Sequence, residues 1–293
     1  MTRLLRDRRA AIGVTVLAIV AAAGVAAPLV TSGRPVAQRD IVATRFLPPL
    51  TNDRGGAFHL LGTDRFGRDV WTRLVYGARV SLTVGALAVL LSLVLGLAVG
   101  AAAGFGSGLV RLPLVALTDF VLALPRVVLL LVLAELWQPS AALVVIVLGL
   151  TGWMPVARLV LAEVRSLAAR PFVEGAIALG VSRRRVLWRH ILPNALTPVI
   201  VAAALGLGNA VTLEAGLSFL GLGVQPPAAS WGNMIASGRD TLVNAPWVAA
   251  APGVALVLVV VACTLLGDAL QDAWDPGRRH AIIVPRAAAA PSR

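Results

Sequence analysis

The amino-acid sequence predicts an all-α polytopic membrane protein with six transmembrane helices, and three observations carry that expectation. Of 293 residues, 58% are hydrophobic and only 14% charged, beyond the ~45–50% apolar share of a soluble domain. Uncharged runs at residues 10–30, 80–105, 141–157 and 245–266 each approach or pass the ~20 residues that cross ~30 Å of hydrocarbon. Arginine is concentrated between the runs, as expected where charge sets topology. Two more runs, 112–133 and 195–224, are long enough but contain Asp119 and Arg126, and Asn209 and Glu214, respectively.

Residues 1–30 form a tail and a first span. The opening MTRLLRDRRA and the later Val25-Ala26-Ala27 resemble a secretory signal with its cleavage site. The apolar run of 21 residues exceeds the ~7–15 of a signal core, so it is expected to be retained. Residues 31–79 are expected to form an external loop, with turns at Gly62 and Gly67 and a short surface helix from Asp69 onward, in which Val70, Leu74 and Val75 keep helical spacing. Its eight arginines against four aspartates run against the charge rule for an outside segment.

Residues 80–267 are the core transmembrane unit. Gly96, Gly100 and Gly104 recur at i, i+4 and i+8, a stripe that lets another helix come close, either within the chain or from a second membrane subunit. The loop VQPPAASWGNMIASGRDTLVNAPW is rich in Pro, Gly and Ser and is expected to be ordered by packing. Residues 268–293 form a tail that begins with Asp268, Asp272 and Asp275 on a similar face, awaiting either arginine partners or solvent.

Orientation follows from Arg3, Arg6, Arg8 and Arg9 in the N-tail and from Arg158, Arg165, Arg170, Arg183, Arg184, Arg185 and Arg189 between the fourth and fifth spans. Both groups are expected on the cytoplasmic side. They share a side only if run 112–133 crosses, which is the reason for six spans, and both termini are then cytoplasmic.

The formal charge of +12 first suggests nucleic acid, but membrane topology accounts for patches that lie between spans. All 26 basic residues are arginine, so the chain has no GxxxxGK[ST] phosphate loop and no lysine for Schiff-base chemistry. Cys263 is single, and His59, His190 and His280 are scattered without ligand spacing. There is no HExxH or GxSxG. No catalytic, cofactor or metal constellation is visible, and the chain reads as no enzyme.

The stretch from Arg170 reads as helix, bend, helix. Pro171 suits a first helical position, Gly180 the residue just past a helix end, and Ser182 the cap of a second helix that stops before Pro193. The first piece, PFVEGAIAL, is shorter than the ~12–15 residues at which an isolated helix becomes marginal in water. Phe172, Ala176 and Leu179 share one stripe, with Val173 and Ile177 beside it. That apolar face needs a groove, in the same bundle or in another protein. Arg183, Arg184 and Arg185 sit in the first turn of the second helix, where each cation is unfavourable by ~0.3–1 kcal/mol. They serve topology and lipid phosphate, or an acidic partner surface.

EGAIALGVSRRRVLWRHILPN resembles the EAA loop of the membrane subunits of ABC-type importers, in register at Glu174, Ala176, Gly180, Leu192 and Pro193. Gly175 and His190 depart from the pattern. The ending HILPN, together with LGTDRFGRDVWTRLVYGARVSL, LEAGLSFLGLGVQPPAASWGNMI and LLGDALQDAWDP, is similar to the dipeptide, oligopeptide and nickel branch, so the resemblance runs from about residue 60 to residue 276.

The resemblance implies the type I ABC importer permease fold, in the cell membrane, with the loop at 166–193 acting as a coupling helix that docks on a separate ATPase. It maps Glu174 and Gly180 onto the docking motif. Phe172, Ala176, Ile177 and Arg183–Arg185 are further contact candidates. It also implies a second homologous permease, two ATP-binding subunits that hold ATP and magnesium, an extracytoplasmic substrate-binding protein, and dipeptide or oligopeptide cargo, with nickel chelates as the alternative. Asp119, Arg126, Asn209 and Glu214 line the path or pair helices. In a rival stand-alone secondary transporter, coupling would rest on Asp119 and Glu214 and an inverted repeat would be expected; none is evident.

Overall fold

The computed structural model describes residues 7–274 except 32, 39, 126, 127, 130, 131 and 134–136. In chain order the elements are α1 (Arg8–Val25), α2 (Ala27–Val30), α3 (Ile41–Thr44), β1 (Thr51–Asn52), β2 (Phe58–His59), α4 (Val70–Phe105) and α5 (Gly108–Ala123). There follow α6 (Ala141–Ala168), α7 (Pro171–Ala178), α8 (Arg183–Phe219), α9 (Trp231–Arg239) and α10 (Trp247–Trp274). The two strands pair antiparallel, Thr51 opposite His59.

Five helices, α1, α4, α6, α8 and α10, are long and apolar enough to cross a membrane. Their outward side chains stay uncovered: Leu90, Val94, Val257 and Leu258 are each more than half exposed, as a surface solvated by lipid tails permits. Helix starts follow local chemistry. The Asp7, Asp69 and Ser140 side chains accept from the backbone N–H of Arg9, Thr72 and Leu143, and Ser230 and Asn233 form a reciprocal capping box at α9.

Run 112–133 differs from expectation. Its helix α5 has 16 residues, about 24 Å at ~1.5 Å per residue. It ends because Leu124 precedes Pro125 and takes the extended conformation (φ −74°, ψ 130°) that a following proline imposes. Helices α4 and α6 lie antiparallel, with Gly104 against Val164 at one end and Val84 and Ala88 clustered with Val144 and Val147 at the other.

Three further boundaries move. The expected surface helix is the first part of α4, which runs unbroken from Val70 to Phe105, so the boundary between residues 79 and 80 falls inside a helix. The last span continues to Trp274, past the boundary at 267 and 268. The helix expected to stop before Pro193 instead runs on to Phe219. A π-type turn over Leu187–Ile191 widens the coil where Pro193 lacks an N–H and its ring would crowd the preceding turn.

The glycine stripe faces α6. A Cβ at Gly96 would lie 2.6 Å from the Val156 Cβ, one at Gly100 2.6 Å from the Ala157 carbonyl oxygen, and one at Gly104 2.8 Å from the Val164 Cβ. These contacts spend the stripe within the chain and bring α4 and α6 into the closest packing of the bundle.

The residues between α2 and α4 explain how so many arginines are held there. Asp64 takes the Arg68 guanidinium at 2.7 Å, with side chains only 4% and 8% exposed, and its other oxygen accepts from the Phe66 and Arg68 backbone. Arg45, Arg65 and Arg68 each stack on a phenylalanine ring. His59 Nδ1 donates to Asp69 at 2.8 Å, and Trp247 and Trp231 donate from α10 and α9 to the Thr63 and Leu74 carbonyls. The segment is thus tied to helix ends through polar contacts that no local pattern announces.

Candidate coupling helix and central groove

Pro171 opens α7 without a side-chain cap, as a residue lacking an N–H can. The helix closes with the Gly180 N–H donating to Ile177 O at 2.9 Å and the Val181 N–H to Ala176 O at 3.1 Å. Gly180 has φ +85°, the left-handed conformation that an L side chain resists, so this paired closure depends on glycine. Ser182 holds the cap position of α8, yet its side chain makes no capping bond.

The apolar stripe of α7 divides. Val173 is 1% exposed and joins Val160, Val164, Val186 and Ile191 in one core cluster, with Ala176 packed beside it. Phe172, Ile177 and Leu179 point away and are 48%, 38% and 86% exposed. Glu174 and Arg183, Arg184 and Arg185 are exposed as well. One residue anchors the helix to its own bundle while three large apolar side chains and an acid face outward. Gly175 and Gly180 have open space where a Cβ would be.

The four intramembrane polar candidates separate. Asn209 is exposed on a cavity of about 390 Å³ between α4, α6 and α8, lined in part by Ser92, Gly152, Pro155 and Gly206. Glu214 is fully buried, accepting from Ser81 Oγ at 2.8 Å and Ser218 Oγ at 2.7 Å. Those hydroxyls in turn accept from the Trp231 and Val224 N–H. The carboxyl pins α4, α8 and α9 in a satisfied network and does not line the groove. Asp119 pairs with Arg158 of α6 at 2.6 Å, both side chains about half exposed. Arg126 lies outside the described residues.

Sequence reasoning missed Ser81, Ser218 and Trp231: Ser81 is 133 positions from Glu214 and gives no signal before the helices meet, whereas Ser218, four residues on along the same helix, is the one partner that helical spacing could have offered. Asp272 finds an arginine: Arg9 Nη2 lies 2.8 Å from its Oδ2, which puts the start of α1 and the end of α10 on one side of the bundle. The Arg9 hydrogen bonds also hold the Asp7 carboxyl below the usual carboxylate range. Asp275 and His280 lie outside the described residues. The ends of α4 and α6 and the whole of α7 share that side, since Gly104, Val164 and Val173 are neighbours through one cluster.

Comparison with known proteins follows this geometry closely. Residues 80–280 match the family described as binding-protein-dependent transport system inner membrane component. A peptide transport system permease protein of Brucella abortus is 41% identical over 279 residues, covering 94% of this chain and 90% of that protein. The di/tripeptide transport system permease protein DppC of Pseudomonas aeruginosa is 37% identical over 256 residues, covering 87% and 84%. The dipeptide transport system permease protein DppC of Alkalihalophilus pseudofirmus is 38% identical over 220 residues, covering 75% and 72%. Among solved structures, a chain of the inward-facing MetNI methionine ABC transporter superposes with a TM-score of 0.57 at 20% identity, covering 69% of this chain and 95% of that one. At that identity the likeness is one of fold.

Proposed function

The chain belongs to the family of binding-protein-dependent transport system inner membrane components, and from that premise we propose which parts of it couple, which form the path and what they carry. It is a permease subunit of an ABC importer, a multi-pass membrane protein and not an enzyme. Its cargo is short peptides, supported by the names of relatives that cover most of its length. Nickel chelates are the alternative within the same branch.

Helix α7 is the coupling helix. The observation that carries this reading is its divided face, Val173 held inside while Phe172, Ile177 and Leu179 stand exposed beside Glu174. Apolar side chains on a short helix outside the lipid favour a protein groove as their cover. That groove belongs to an ATPase subunit, in keeping with a chain that has no lysine for a phosphate loop of its own. ATP and magnesium are then held by two such subunits, and a second permease and an extracytoplasmic binding protein complete the importer. The α7 side, with both termini, is cytoplasmic, supported by the exposed Arg183–Arg185. The cavity at Asn209 contributes to the path, opened and closed as the bundle shifts between two packings that the ATPase biases.

The test is Leu179→Asp with Phe172→Ala in the reconstituted importer. Both side chains are exposed, so insertion and folding are unchanged, while stimulation of ATP hydrolysis by cargo-loaded binding protein is abolished. Full stimulation in this variant refutes the coupling role. Uptake of a labelled dipeptide, compared with uptake of labelled nickel, decides the cargo.

A further inference from the structure

On the side of the bundle opposite α7, a cavity of about 350 Å³ opens between the segment before α4 and the residues leading into α9. Arg68 and Arg73 lie in its wall, Arg65 and Gln38 at its rim, and Phe66 and Pro226 beside them. It shares no lining residue with the groove at Asn209.

Charge in this cavity does not balance. Arg68 and Arg73 are 7% and 4% exposed, and Asp64 is the acid against both. Arg68 takes its Oδ2 at 2.7 Å, while Oδ1 is occupied by two backbone N–H groups. Arg73 is left 3.8 Å from the same carboxylate, with one hydrogen bond among the described residues, to the Pro35 carbonyl at 3.2 Å. A guanidinium offers more donors than that, and a buried cation without a close counter-charge is costly.

The other polar groups of the wall are committed. Asn233 donates to the Val224 and Ala228 carbonyls and accepts from the Ser230 N–H, and Ser237 donates to Met234 O. With Arg68 neutralised by Asp64, Arg73 leaves one buried positive charge and Arg65 adds a second at the exposed rim; a planar guanidinium fork and walls made by Phe66 and Pro226 match a carbon-bearing carboxylate better than a bare inorganic ion.

We infer that this cavity is a binding site for a small carboxylate, either a free monocarboxylate or the C-terminus of a short peptide, held by Arg73 with Arg65 at the rim. The site stands on the charge and shape of the cavity and does not depend on the transport reading.

The test is thermal melting of the full-length protein, in the complex in which it purifies, in phosphatidylcholine nanodiscs at constant ionic strength. Acetate is titrated against chloride, and trialanine against trialanine amide. Acetate raises the melting midpoint saturably and chloride does not. Arg73→Gln raises the half-saturating acetate concentration about tenfold, the loss of one charge-assisted contact. Arg65→Gln, at the exposed rim, raises it about twofold. Trialanine acting at lower concentration than acetate identifies the peptide terminus as the source, and trialanine acting no better than acetate identifies the free monocarboxylate. The inference is overturned if chloride matches acetate, if trialanine amide matches acetate, or if both variants bind acetate as the parent does. If Arg73→Gln does not fold, the anion comparison and Arg65→Gln decide. Because the readout is melting and not uptake, failure here leaves the assignment of α7 untouched.

Discussion

The two ends of the bundle are both rich in arginine and use it in opposite ways. At the α7 end Arg183, Arg184 and Arg185 are exposed and make no ion pair among the described residues. At the other end Arg68 and Arg73 are almost wholly buried around Asp64. The same side chain is a solvated topology signal in one place and a structural cation in the other. The difference teaches that burial, and not residue type, sets what a charge is worth. It also separates an end where arginine is locked inside the fold from an end where it faces outward.

The largest expected effect breaks the end that holds Asp64. Asp64→Ala leaves two buried guanidinium groups facing each other and lowers stability by about 3–5 kcal/mol, read as a fall in melting midpoint and in folded yield. Replacing Arg184 alone by Gln at the α7 end leaves the midpoint in place; a comparable loss there would erase the contrast between the ends.

Next comes the closure of α7. Gly180→Val forces an L side chain into φ +85°, at a cost of ~1–2 kcal/mol. Nothing lies within 4 Å of the new Cβ, so the strain is local. The midpoint shifts little, while cargo-stimulated ATP hydrolysis collapses. Retained stimulation would mean that the turn is ornamental.

Smaller still, Gly175→Ala fills open space in the middle of α7 and stabilises the helix by about 0.5–1 kcal/mol. Amide exchange along Pro171–Ala178 slows, with no change at the outer end; faster exchange would show that the open space is needed. The smallest effect is at Arg9→Gln, which removes a surface contact to Asp272 and leaves the melting midpoint unchanged. The Asp7 carboxyl then titrates higher than in the parent, because the Arg9 guanidinium hydrogen bond, the main cause of its lowered value, is gone while the backbone N–H bond stays. Whatever stability that pair supplies is present above the ordinary carboxylate pKa and is lost as pH falls through the lowered value. An unmoved carboxyl titration would show that Arg9 does not control it.

Much of this was legible in the chain. Uncharged runs had to become membrane helices, because unpaired backbone in hydrocarbon is costly. The glycine at 180 marked a helix end, because its backbone conformation is a local property. The missing lysine excluded a GxxxxGK[ST] phosphate loop from this chain. Hydropathy over run 112–133 does not register that Pro125 ends helix α5 at Ala123, and Pro193 misled because a π-type turn can absorb a proline.

Composition, periodicity and turn chemistry act over a few residues, so the sequence by itself determined the class, the spans and the short helix at 171–178. Only the tertiary structure decided that Asn209 faces a groove while Glu214 is sealed among serines, and that Val173 turns inward while Leu179 turns out. It also decided that Arg73 ends beside an acid already taken. Those outcomes depend on which helix packs against which, and long-range contact is not encoded in the neighbourhood of any one residue.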